Sequence, residues 1–156
     1  MEDGPKPHEA YSYRNDSVIP TFPDDKPIIV YDGHCGLCSG WVRYVLRHDR
    51  AGVYRFLSAQ SALGHALYVH YGLDPTDYET NILIAKGVAY YKSEACLRMA
   101  EGLGFPSSLA SIFRILPMSL RDRLYGVVAR NRLRIFGRLE NCYLPVGSPD
   151  SDRFIA

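Results

Sequence analysis

Cys35-Gly36-Leu37-Cys38 sets two thiols one helical turn apart. The motif follows the apolar run Pro27-Ile28-Ile29-Val30-Tyr31 and the turn Asp32-Gly33-His34. It opens a segment with helical patterning. A sulfur at the start of a helix meets unpaired amide N–H groups and the positive end of the helix dipole, and both favour an anion. The thiolate is that anion, and it is the reactive form. Such settings pull a cysteine pKa from about 8.5 into a range of roughly 3.5 to 7.5. The chemistry this spacing suits is thiol–disulfide exchange. Cys35 attacks a disulfide, and Cys38 resolves the mixed disulfide that forms. The protein itself cycles between dithiol and disulfide, with no bound cofactor. At 100° per residue, Cys38 shares the apolar face of the helix with Trp41, Val42 and Val45. The expectation is a buried Cys38 and an exposed Cys35, with Gly36 leaving the attacking sulfur uncrowded.

The neighbours of the pair each carry a chemical and a plain reading. Asp32 is either a proton acceptor for Cys38 or a holder of loop N–H groups. A carboxylate close to Cys35 would oppose its ionisation, which favours the loop role. His34 stabilises a thiolate only when protonated, and an ordinary histidine is mostly neutral at pH 7. The alternatives for the cysteines are half of a zinc site, an iron–sulfur site or plain core packing, and a zinc site needs two more ligands. Cys96, Cys142, His34 and His65 are available, yet no second Cys-x-x-Cys accompanies them. The expectation is no metal. Cys96 reads as a small core residue.

Four strands and three helices must position this turn. The strands are Pro27–Tyr31, Val53–Leu57, Asn81–Ala85 and Val88–Tyr91; the last two are joined by the turn Lys86-Gly87. Helices follow Cys35, span Ser61 to about Tyr71, and start at a capping Ser93. The order βαβα then ββα implies a mixed four-stranded sheet with helices on its faces. Leu109, Ile112, Phe113, Leu116, Leu120, Leu124, Val127 and Val128 then recur at helical spacing, and Pro117 divides them into two helices. The expectation is that this stripe packs against the sheet.

The chain thus divides into an acidic, proline-rich tail (1–27), an α/β core (28–104), a helical extension (105–146) and a loose tail (147–156). The first tail is expected to be mobile or draped on the surface, with Tyr11, Tyr13 and Phe22 able to dock it. The 156 residues, 47% hydrophobic and 22% charged, describe a globular chain. The net charge of +1 excludes a uniformly basic nucleic-acid binder. It hides six arginines against one aspartate in residues 121–138. That cluster reads as a solvated helix face, or as a surface for an acidic partner or the thiolate, with Arg132 and Arg134 the members nearest to a functional role. No secretory signal or membrane span is readable, so a reducing cytoplasm is expected.

The run Val30-Tyr31-Asp32-Gly33-His34-Cys35-Gly36-Leu37-Cys38 resembles the signature of the DCC family, also called DUF393, of thiol-disulfide oxidoreductases. Leu120-Arg121-Asp122, Tyr125, Ala129-Arg130-Asn131-Arg132, Phe136-Gly137 and Cys142-Tyr143-Leu144-Pro145 resemble its second motif. The resemblance covers about residues 28–146. It implies a thioredoxin-like fold with a glutaredoxin-like βαβαββα core, a C-terminal helical extension, and a thiol or disulfide substrate, protein or small molecule. It draws Asp32, Gly33, His34, Arg132, Arg134 and Cys142 to the site beside the catalytic pair. Cys142 is then a third redox thiol or a buried packing residue. The cis-proline that thioredoxins carry before the third strand has no counterpart in Tyr78-Glu79-Thr80, which points to a narrower substrate. The alternatives are a non-enzymatic binding module and a redox switch.

Overall fold

Ile28–Tyr31 (β1) is buried along its whole length, as a continuous β-branched run requires when both faces of a sheet are covered. The computed structural model that shows this describes residues 8–76, 78, 80–140 and 149–155. Arg55–Ser58 (β2) lies parallel to β1. Ile82–Ala85 (β3) lies antiparallel to β1 on its other side, and Val88–Tyr91 (β4) closes that edge. The helices are Gly36–His48 (α1), Ala62–His70 (α2), Lys92–Gly102 (α3) and Met118–Phe136 (α4). The five-stranded sheet runs β4-β3-β1-β2-β5. This mixed α/β arrangement is thioredoxin-like, with one strand beyond the four expected.

Alternation along β1 sorts the core into two layers. Ile28 and Val30 face Leu63, Leu67, Tyr68 and Tyr71 of α2 and its C-terminal end. Ile29 and Tyr31 face Val42 and Val45 of α1 and Ala95 and Met99 of α3. Both sides of β1 are therefore fixed, and so is the turn that follows it. Ser61 caps α2 through the Gly64 amide at 3.0 Å.

Four expectations change. Tyr13 and Ile19, in the segment read as a tail, join the core layer beside α2. Tyr13 donates to Asp24 at 2.9 Å, so its hydroxyl is not buried alone. The last described residues are not loose: Phe154–Ile155 (β5) pairs in parallel with β2. Arg153 holds them there, donating to the Tyr54 carbonyl at 3.1 Å and binding the buried Asp49 carboxylate. The α3 helix begins at Lys92 without a side-chain cap, because the Ser93 hydroxyl is engaged by Asp122 of α4.

The fourth change is the largest. Pro117 does divide the late segment, into a 3₁₀ helix, Ser107–Ile115, and α4. Yet the apolar stripe faces outward. Ile112 is 64% exposed and Leu124 54%, and Leu109, Phe113, Leu120, Val127 and Val128 are exposed too. The polar face of α4 is the one that docks. Asp122 meets Ser93, the Tyr125 hydroxyl accepts from the Asn81 amide at 3.1 Å, and Arg132 reaches Asp32 at 3.4 Å. Directional partners spaced three to seven residues apart set the rotation of this helix, against its hydrophobic pattern.

Candidate active site

The active turn is held by side chains that bind its backbone. Asp32 Oδ1 accepts from the His34 amide at 3.0 Å and from Gln60 Nε2 at 2.5 Å. Gln60 Oε1 accepts from the Gly33 amide at 3.0 Å. The Ser39 hydroxyl, on the first turns of α1, donates to the Gly33 carbonyl at 3.2 Å. Gly33 thus serves through its backbone, and Asp32 takes the loop role. Gln60 and Ser39 escape sequence reasoning, since polar residues at a strand end and a helix start carry no motif.

Cys35 is the N-cap of α1, and its sulfur accepts from the Cys38 amide at 3.4 Å. Its thiol pKa is pulled down to about 6. The chief cause is the hydrogen bond from the Cys38 thiol; burial opposes it, and the amides of Cys38 and Leu37 and the Arg132 charge add to it. The Cys38 thiol is pushed up in turn, first by donating to Cys35, then by burial and by the negative charges of Cys35 and Asp32. The two shifts run in opposite directions and favour the negative charge on Cys35.

Arg132 supplies the compensating cation. It is 4% exposed and lies 100 residues along the chain from Asp32. It donates to the Ala129 carbonyl at 2.8 Å and to Asp32 Oδ2 at 3.4 Å. Arg134, two residues on, points the other way around α4 and is exposed. It does not join the site. The arginines therefore divide. Arg132 faces in, Arg121 lies against Glu94 of α3 at 3.6 Å, and Arg123, Arg130, Arg134 and Arg138 are exposed.

Exposure of the cysteines is the reverse of the expectation. Cys35 is 0% exposed, whereas Cys38 is only partly buried. The cover over Cys35 is a strap formed where α4 ends. Gly137 adopts φ +80°, which turns the chain back across the thiol. The Gly36 amide donates to the Gly137 carbonyl at 3.1 Å, and the Leu139 amide to the His34 carbonyl at 2.7 Å. Cys35 and Arg138 form an antiparallel bridge. His34 Nδ1 lies 3.1 Å from the Leu139 carbonyl, so the imidazole fastens the strap rather than touching a sulfur. A Cβ on Gly36 would collide with the Phe136 carbonyl oxygen. Glycine is needed there for the strap, not to uncrowd the thiol.

Cys38 lies on the wall of a cavity of about 360 Å³, together with Leu37, Trp41, Tyr68, Met99 and Tyr125. Cys96 also lines it, accepting from Asn81 Nδ2 at 3.3 Å. It is partly accessible rather than a plain core residue. Cys142 lies outside the described residues. Among the described residues, no group of three or more His, Cys, Asp or Glu side chains is placed to hold a metal ion.

A profile of the DCC1-like thiol-disulfide oxidoreductase family matches residues 29–138, from β1 to the strap. The chain belongs to this family. Among curated DCC1-like relatives, a DCC family protein of Arabidopsis thaliana described as chloroplastic is 38% identical over 122 residues, covering 78% of this chain and 71% of the relative. The uncharacterized protein YuxK of Bacillus subtilis is 33% identical over 118 residues, covering 76% of this chain and 86% of the relative. No solved structure matches. The DCC1-like match takes in both the Cys35 turn and Arg132, the two parts of the site that the fold brings together. No helix among the described residues is long and apolar enough to cross a membrane.

Proposed function

We propose that the protein is a thiol-disulfide oxidoreductase in which Cys35 attacks and Cys38 resolves. The observation that carries this reading is the seat of Cys35 at the N-cap of α1, where its sulfur accepts from the Cys38 amide at 3.4 Å. A sulfur at the N-terminus of α1 accepts hydrogen bonds from the Cys38 thiol and amide, and the buried Arg132 charge favours its ionisation. Cys35 is the better nucleophile near neutral pH, because a pKa of about 6 leaves it mostly ionised there. Its attack on a substrate disulfide forms a Cys35 mixed disulfide and releases a substrate thiolate. Cys38 gives its proton to that thiolate, attacks the Cys35 sulfur and releases the second substrate sulfur. The strap must shift, or the pair must rotate toward the cavity, before a substrate sulfur reaches Cys35. No resident cofactor or metal enters these steps. A reducing compartment suits a pair that works from the dithiol form. The exposed Arg123, Arg130, Arg134 and Arg138 offer a surface for an acidic partner.

The test is the thiol pKa of Cys35, the reduction potential of the pair and the metal content, all on one sample. A depressed pKa with reversible two-electron oxidation is expected. Stoichiometric zinc would overturn the proposal, and disulfide reduction at the unmodified rate by Cys35→Ser would overturn the choice of nucleophile.

A further inference from the structure

We infer that the cavity beside Cys38 is a substrate pocket for a small, uncharged, aromatic disulfide. This rests on the exchange reading above and names the substrate class. The volume of about 360 Å³ is at the small end of ligand pockets, about 300–1,000 Å³. That suits a molecule of one or two rings, not a folded protein segment. The wall is almost wholly apolar and rich in rings: Trp41, Tyr68, Tyr78 and Tyr125 stand around it. Flat aromatic groups pack well against such faces.

The charges at its inner end exclude an anionic substrate. The Arg132 guanidinium is matched by the Asp32 carboxylate and by the Cys35 thiolate. No net positive charge remains to receive a substrate carboxylate, and burying one there would be costly. Asn81 Oδ1 is buried without a hydrogen-bond partner among the described residues, on the same wall. A substrate N–H or O–H would satisfy it. The mouth is framed by Leu124 and Val128 of α4, both from the outward apolar stripe. An apolar molecule meets an apolar surface before it enters. The cavity reaches Cys38 while the strap covers Cys35, so the pair must rotate toward the cavity before a disulfide held there meets the Cys35 sulfur.

Exchange in this pocket balances without another reagent. The Cys35 thiolate forms a bond to one sulfur of R–S–S–R, and the substrate S–S bond breaks to release RS⁻. The Cys38 proton goes to that thiolate. Cys38 then bonds to Cys35 and displaces the second RS⁻, which takes a proton from water. The dithiol is oxidised by two electrons, and the disulfide is reduced to two thiols.

The experiment uses the full chain and two readouts. Trp41 is the single tryptophan and lines the pocket, so its emission reports occupancy. The redox-inert probe is bis(aminophenyl) sulfide, and the substrates are bis(aminophenyl) disulfide and oxidised glutathione. Saturable change of Trp41 emission is expected, with oxidation by the aromatic disulfide about tenfold or more faster than by glutathione disulfide. Val128→Phe and, separately, Leu124→Phe narrow the mouth and should reduce that ratio about tenfold. Faster oxidation by glutathione disulfide, or no saturable Trp41 response, overturns the pocket assignment while leaving exchange intact. If no disulfide of either kind oxidises the pair, the underlying exchange reading fails, whatever Trp41 reports.

Discussion

At the residue scale the site is a problem of one thiolate and one cation. Removing the Cys38 thiol takes away the largest contribution to the lowered Cys35 pKa. Cys38→Ala should therefore move Cys35 back toward its ordinary value. The ultraviolet thiolate absorbance, followed against pH, checks this. In the unmodified protein that absorbance, and the rate of alkylation at Cys35, should fall as pH drops through about 6. The sign follows from the depressed pKa: the thiolate is present above it and protonated below it. Arg132→Met should raise the same pKa by less, since its charge is a smaller contribution. It should also destabilise the fold by about 3–5 kcal/mol, because Asp32 is left buried without its cation. Chemical denaturation measures that loss. The Cys-x-x-Cys motif and its helix were legible because their residues are contiguous. The partnership of Arg132 with Asp32 was not, for its members lie 100 residues apart and nothing local links them. The exposure order of the two sulfurs was also hidden, because the cover over Cys35 comes from the far end of α4.

At the element scale α4 shows why periodicity can mislead. Its Leu and Val spacing is correct for a helix and wrong about which side is buried. Asp122, Tyr125 and Arg132 could be seen in the sequence, but their partners Ser93, Asn81 and Asp32 sit on α3, just before β3 and just after β1. A paired contrast tests the orientation. Val127→Glu replaces an outward side chain and should change stability by about 0.5 kcal/mol or less. Ala129→Glu puts a carboxylate on the inward face, where Ala129 is 4% exposed, and should cost several times more. Thermal unfolding of both variants decides it. Gly36→Ala drives a methyl group into the Phe136 carbonyl. It should loosen the strap, so Cys35 alkylates faster than in the unmodified protein at the same pH. Unchanged alkylation would mean that the strap does not limit access.

At the scale of the whole molecule, the first and last described segments complete the core. Tyr13 and Ile19 thicken one layer, and β5 extends the sheet beyond β2. Neither segment has the alternation or period by which an element is normally read. Tyr13 is one buried ring among prolines, and β5 is two residues long. Arg153→Ala should expose this dependence. Asp49 keeps the amides of Val53 and Tyr54 at 3.1 and 2.9 Å but loses its cation, for a cost of about 1–3 kcal/mol in denaturation.

The strap also sets a kinetic order. Cys35 has no solvent access while Gly137 and Leu139 hold their hydrogen bonds to Gly36 and His34. A hydrophilic reagent must wait for those bonds to break. Its rate should rise with concentration and then level off, and different hydrophilic reagents should share one ceiling, the opening frequency of the strap.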